Sequence, residues 1–135
     1  MRYLLDVNVL VAWGWADHAD HQRVAAWIGR GLRAGGTVFL TSAIPQLGFV
    51  RVSVQRTGGQ LTPQQAGSAL AAMLSCLGKA HNFVPDDQLA TSWPGWCRSA
   101  SRTTDAHLLA LAAAHGAHLA TPDTGIPGAF LIPLP

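Results

Sequence analysis

Seven aspartates and no glutamate form the acidic complement of this 135-residue chain. Three of the seven, Asp6, Asp105 and Asp123, stand where one type of secondary structure gives way to another. Asp6 closes the run Tyr3-Leu4-Leu5, which is short and continuously apolar in the manner of a buried parallel strand. Asp105 falls in the first turn of a helix opened by Thr103-Thr104, and Asp123 follows the strand-like segment His118-Leu119-Ala120-Thr121. In a parallel sheet all three positions lie on the carboxyl-terminal rim, the edge at which open α/β sheets bind ligands. Carboxylates gathered there repel and raise one another's pKa values unless a cation neutralises them, and hard oxygen donors select Mg²⁺ or Mn²⁺. The chemistry open to such a site is phosphodiester hydrolysis, with the ion activating water and balancing transition-state charge. Aspartate also caps helices and ends strands for purely structural reasons, so spacing alone leaves both readings open.

The elements that must position these acids alternate along the chain. After the first strand, Asn8 is expected to cap a helix carrying Val9, Leu10, Ala12 and Trp13. Asp17-His18-Ala19-Asp20-His21 is a polar turn before a second helix with Val24, Trp27 and Ile28 on its inward stripe, stopped by Gly35-Gly36. Its histidines share a helix face at a spacing compatible with metal but lack the partners of a zinc site, and a polar helix start is the simpler account. Thr37 to Leu40 reads as a strand, and Thr41-Ser42 starts a helix in which Pro45 is tolerated because it lies in the first turn. Thr62-Pro63-Gln64-Gln65 opens the next helix with a capping box and runs to about Leu77. His81 to Pro85 is a short strand, Asp86-Asp87 is expected to start a further helical segment, and Ser92 to Trp96 is loop. A helix from Ala106 to His115, a strand over His118 to Thr121 and an edge strand over Ala129 to Ile132 complete an α/β fold. Its sheet is four- or five-stranded, mainly parallel, and flanked by helices on both faces.

Length suits one domain spanning 1–135, large enough to bury about two thirds of its unfolded surface. Charged residues make up 12% and hydrophobic residues 49%, against roughly 25% charged in a typical domain, so spare apolar surface points to self-association. The net charge of +2 is compatible with a polyanionic substrate. Cys76 and Cys97 lack metal-ligand spacing, and no apolar signal region precedes Asp6, which points to a reduced, cytoplasmic setting without a membrane span. No Gly-x-Gly-x-x-Gly or Walker-type loop follows any strand, so nucleotide binding by those devices is unsupported. A phosphatase of the doubly wound class would carry Asp-x-Asp after the first strand, and Asn8 occupies the second of those places.

Four segments, Leu5-Asp6-Val7-Asn8-Val9-Leu10, Gly48-Phe49-Val50-Arg51-Val52, Thr104-Asp105-Ala106-His107-Leu108-Leu109-Ala110-Leu111-Ala112 and Thr121-Pro122-Asp123-Thr124-Gly125-Ile126, occur in this order. Together they resemble PIN-domain ribonucleases, particularly VapC-type toxins of toxin-antitoxin pairs, over essentially the whole chain. The resemblance implies a PIN-like three-layer fold and a Mg²⁺- or Mn²⁺-dependent endonuclease of single-stranded or structured RNA, homodimeric and held inactive by a cognate antitoxin protein. It places the family's metal-binding acids on Asp6, Asp105 and Asp123, and polar neighbours that steady them on Asn8 and Thr121.

One departure from that pattern falls at Gln46, where a glutamate generally precedes the Gly-Phe-Val-Arg segment by two positions. A carboxamide offers one neutral oxygen in place of two charged ones, lowering the local charge from about −4 to about −3 and weakening the hold on a divalent ion. The alternatives are a nuclease working on three aspartates, a degenerate PIN-like protein that binds antitoxin or RNA without cleaving it, and an inactivating substitution. Asp86 or Asp87 offers a compensating acid, although acids favoured by a helix dipole are the plainer account. Arg51, five positions after Gln46, is a candidate contact for a substrate phosphate. Trp93 and Trp96 flank a Pro-Gly turn and offer indoles for base stacking or packing, whereas Trp13, Trp15 and Trp27 belong to apolar helix faces.

Overall fold

The computed structural model describes residues Met1 to Pro135. Its centre is a five-stranded, entirely parallel sheet in the order β3-β2-β1-β4-β5, built from β1 (Arg2–Leu5), β2 (Val38–Thr41), β3 (His81–Phe83), β4 (His118–Thr121) and β5 (Phe130–Leu131). Helices α1 (Val7–Gly14), α2 (His21–Ala34), α3 (Ala43–Arg56), α4 (Pro63–Leu77) and α5 (Thr103–Ala114) make the crossovers. Side chains alternate across each strand. Tyr3, Leu5 and Phe39 therefore join Val9, Leu10, Val24, Trp27, Phe49 and Leu70 on the face covered by the first four helices. Leu4, Leu40 and Leu119 join Leu108, Leu111 and Ala112 of α5 on the other face. No helix is long and apolar enough to cross a membrane.

Local chemistry accounts for the element boundaries. The α4 start carries a complete capping box, with Gln65 N donating to Thr62 Oγ1 at 3.1 Å and Thr62 N donating to Gln65 Oε1 at 2.9 Å. Pro45 lies within the first turn of α3 behind Ser42 as N-cap. Glycine is required at position 48, where an added Cβ would lie 2.6 Å from Val7 Cγ2. This close approach seats α3 directly against the residue that follows Asp6.

Two expectations are corrected. Asn8 does not cap α1: Asp6 does, accepting from Val7 N at 2.7 Å, and Asn8 sits inside the helix. Asp86-Asp87 begins no helix, because the Asp86 carboxylate instead accepts from Gln88 N at 3.1 Å and from His107 Nε2 on α5 at 2.7 Å. The chain from Val84 to Ser99 thus runs as loop and turn, tied to α5 by a side chain that helix formation would have turned outward.

Candidate active site

The tips of β1 and β4 are adjacent, with Leu5 level with Ala120, and this register brings Asp6 beside Thr121. Thr121 is fully buried and serves two acids at once. Its hydroxyl donates to Asp6 Oδ2 at 3.0 Å, and its oxygen accepts from the backbone N–H of Asp123 at 3.1 Å. Asn8, in the first turn of α1, donates from Nδ2 to Asp123 Oδ2. Asp105 enters from the first turn of α5.

Electrostatics shows that the three acids share one neighbourhood. Burial pushes the Asp6 carboxyl up to about 6; the Thr121 hydrogen bond pulls it down, the Asp105 charge pushes it up, and Val7 N–H and Asp123 follow with opposite signs. Asp105 is also raised, first by burial and then by Asp123, with Arg102 acting against both. All three pairs of acids therefore feel each other's charge. None is ion-paired: the salt bridges of the chain are Arg23 with Asp20, Arg56 with Asp17 and His107 with Asp86. Asp105 and Asp123 line an open pocket of about 680 Å³ together with Ser101, Arg102 and Thr124.

These donors fit a hard divalent cation in chemistry, being carboxylate oxygens whose mutual repulsion no salt bridge relieves. They do not form a preassembled cluster, for no three His, Cys, Asp or Glu side chains of the chain stand close enough for that.

The opposite side of the rim is neutral. Gln46 is half-buried, and its Nε2 donates to Thr41 Oγ1 at 3.0 Å; Thr41 Oγ1 in turn lies 2.7 Å from His81 Nε2 at the start of β3. Burial holds the His81 imidazole below its ordinary pKa, consistent with a neutral ring accepting the Thr41 hydroxyl. Ser42 Oγ, next along the chain, is buried without a hydrogen-bond partner. Arg51 is exposed and lines a separate, largely apolar groove of about 590 Å³ between α3, Val7 and Thr104. The structure thus brings Asp6, Asp105, Asp123, Asn8 and Thr121 together, and leaves Gln46 bonded away from them and Arg51 on another wall. Sequence reasoning missed Arg102, which lines the acid pocket, and the Thr41–His81 pair. Arg102 had a signal in standing three residues before Asp105; the Thr41–His81 pair, forty residues apart, had none.

Residues 3–129 match the family model described as PIN domain. The chain is 39% identical over 132 residues to Ribonuclease VapC39 of Mycobacterium tuberculosis, covering 93% of this chain and 91% of that relative. It is 35% identical over 127 residues to Ribonuclease VapC38 of the same organism, covering 91% and 86%. A crystal structure of M. tuberculosis VapC20, described as a sarcin-ricin loop cleaving toxin, superimposes with a TM-score of 0.66 at 17% identity, covering 98% of this chain and 99% of that one. The chain belongs to the PIN-domain family, among its VapC-type toxins.

Proposed function

We propose that this chain is a divalent-metal-dependent endoribonuclease and the toxin of a toxin-antitoxin pair, built as a single domain and acting in the cytoplasm. The observation that carries the reading is the set of three rim carboxylates, close enough to repel one another and ion-paired to no basic residue. Asp6, Asp105 and Asp123 would hold Mg²⁺ or Mn²⁺, and the bound ion supplies an activated water and charge balance for phosphodiester hydrolysis. The chain's own residues set the acids in place. Thr121 fixes one Asp6 oxygen and the Asp123 backbone, Val7 N–H fixes the other Asp6 oxygen, and Asn8 holds Asp123. Gln46 lends at most a neutral carbonyl oxygen, weaker than a carboxylate. Arg51 stands ready to meet a phosphate of an RNA strand that runs past the pocket.

The relatives named ribonucleases support RNA as substrate, and the VapC assignment supports a cognate antitoxin as partner. The sparse charge of the chain, 12% of residues, supports a homodimer as the working form. Incubation of a mixed single-stranded RNA pool with the full chain and Mn²⁺ tests the reading. Cleavage that EDTA abolishes is expected. Stable binding of RNA or of a copurifying small protein without any turnover would instead favour a binding protein, a reading to which the neutral Gln46 lends its weight.

A further inference from the structure

We propose that Arg102 is the phosphate-binding residue of an RNA subsite beside the three aspartates, held ready by Trp96 and Gly125; this rests on the ribonuclease reading. A pocket walled by carboxylates repels a nucleic acid strand, so a working site needs a cation that the acids do not consume. Arg102 meets that need. Its guanidinium lies 4.8 Å above the Trp96 ring, and Nη2 donates to the Gly125 carbonyl. Both holders are uncharged. Asp105 shares the pocket and feels the Arg102 charge, but the two form no ion pair.

Two other arginines, Arg56 and Arg23, are committed elsewhere, and Arg51 lines a different groove. Arg56 binds the Asp17 carboxylate at 2.8 Å, and Arg23 donates to the carbonyls of Ile132 and Pro122 at 2.7 and 3.0 Å. The Arg102 side chain has one protein acceptor for its five N–H groups, leaving a planar fork of the kind that binds two phosphate oxygens at once. The hydroxyls of Ser101 and Thr124 on the same pocket wall suit the remaining oxygens and the ribose. The ligand is a phosphodiester next to the scissile one in an RNA strand. Trp96, stacked under the guanidinium, is a positioning residue.

The test uses the full chain and a fluorescein-labelled, mixed-sequence single-stranded RNA. Binding is read by anisotropy without divalent metal across a salt series, and cleavage is read with Mn²⁺. Arg102→Gln is expected to weaken binding about tenfold at low salt and to lower the slope of log affinity against log salt by about 0.7, one phosphate contact on a single strand. KM rises while kcat stays near wild type. Arg102→Lys keeps the charge and the slope but not the fork, and raises KM about threefold. Trp96→Leu raises KM with the slope unchanged. If the wild-type chain binds and cleaves RNA while Arg102→Gln keeps its salt slope, or Arg102→Lys keeps its KM, Arg102 is only a staple between two loops and the proposal is overturned alone. A wild-type chain that neither binds nor cleaves RNA overturns the ribonuclease reading and this subsite together.

Discussion

The two sides of the rim are built from the same strand-tip and helix-start geometry and differ in what their hydrogen bonds serve. Between β1 and β4, donors converge on carboxylates: Thr121 and Val7 on Asp6, Asn8 on Asp123. Between β2 and β3, Gln46, Thr41 and His81 form a neutral chain that satisfies itself. The charged side keeps its oxygens fixed and its repulsion relieved by no salt bridge, which is a state a cation stabilises; the neutral side has no such need. We therefore propose the β1–β4 side as the seat of the metal affinity.

The most severe test of that contrast is to neutralise its charged side. Asp6→Asn is expected to reduce cleavage by more than about a hundredfold, since even groups that merely orient a metal ligand are worth 10 to 100-fold. The same substitution should remove most of the rise in Tm produced by Mn²⁺, which at a hundredfold excess over Kd reflects a stabilisation of about 2.7 kcal/mol. A full metal response in Asp6→Asn, read by calorimetry, would place the ion elsewhere.

The pH dependence of the metal-free chain follows from the same residue. The folded state holds a proton on Asp6 up to about pH 6, whereas the unfolded carboxyl releases it near its ordinary value of 3.8. Between those values the folded state binds more protons, so stability falls as pH rises through the window. The penalty is complete above about pH 6 and corresponds to about 3 kcal/mol. Asp6→Asn should be free of it. Urea unfolding at pH 4 and pH 7 without metal should show the variant gaining on the wild type by an amount of that order. A constant difference between the two would mean that Asp6 is not destabilised by its surroundings.

Much of this architecture is legible in the residues themselves, for identifiable reasons. A three-residue apolar run ending in an acid, a Thr-Pro-Gln-Gln start and a proline allowed only in a first turn are local signals, and β1, α4 and α3 obey them. Failures occur where a distant partner outbids a local preference. Asp86 has the sequence surroundings of a helix start, but His107, twenty-one residues on, takes its carboxylate. Position 46 is recognisable as a rim position from Pro45, yet the direction of its amide depends on Thr41 and on His81 from another strand. Arg102 precedes Asp105 by one turn, but its stacking on Trp96 is completed by a carbonyl of the loop at Gly125.

The seam between the two sides is tight because position 48 carries no side chain. Gly48→Ala would drive a methyl into Val7 and press α3 away from α1, at a cost of about 2 kcal/mol as for other overpacked cores. Both the charged and the neutral side should suffer, with a lower Tm and weaker metal response. An unaltered Tm would mean that the α1–α3 contact yields without strain.

The smallest expected effect lies on the neutral side and is the most discriminating. Gln46→Glu places a fourth carboxylate on the rim at almost no change in volume. Cleavage with Mn²⁺ should rise about tenfold, which needs only about 1.4 kcal/mol of transition-state stabilisation. The change also reverses a hydrogen-bond chain. With glutamine, the amide N–H donates to Thr41, whose hydroxyl is left to donate to His81 Nε2. A carboxylate at 46 can only accept, so the Thr41 hydroxyl must turn toward it and His81 Nε2 must become the donor. The imidazole therefore changes tautomer or gains a proton. Nitrogen chemical shifts of His81, compared between wild type and Gln46→Glu without metal, read that switch independently of activity. A tautomer switch with no gain in cleavage would show that residue 46 bonds to Thr41 but contributes nothing to the ion. A gain in cleavage without the switch would mean that the new carboxylate leaves Thr41 for the acids across the rim.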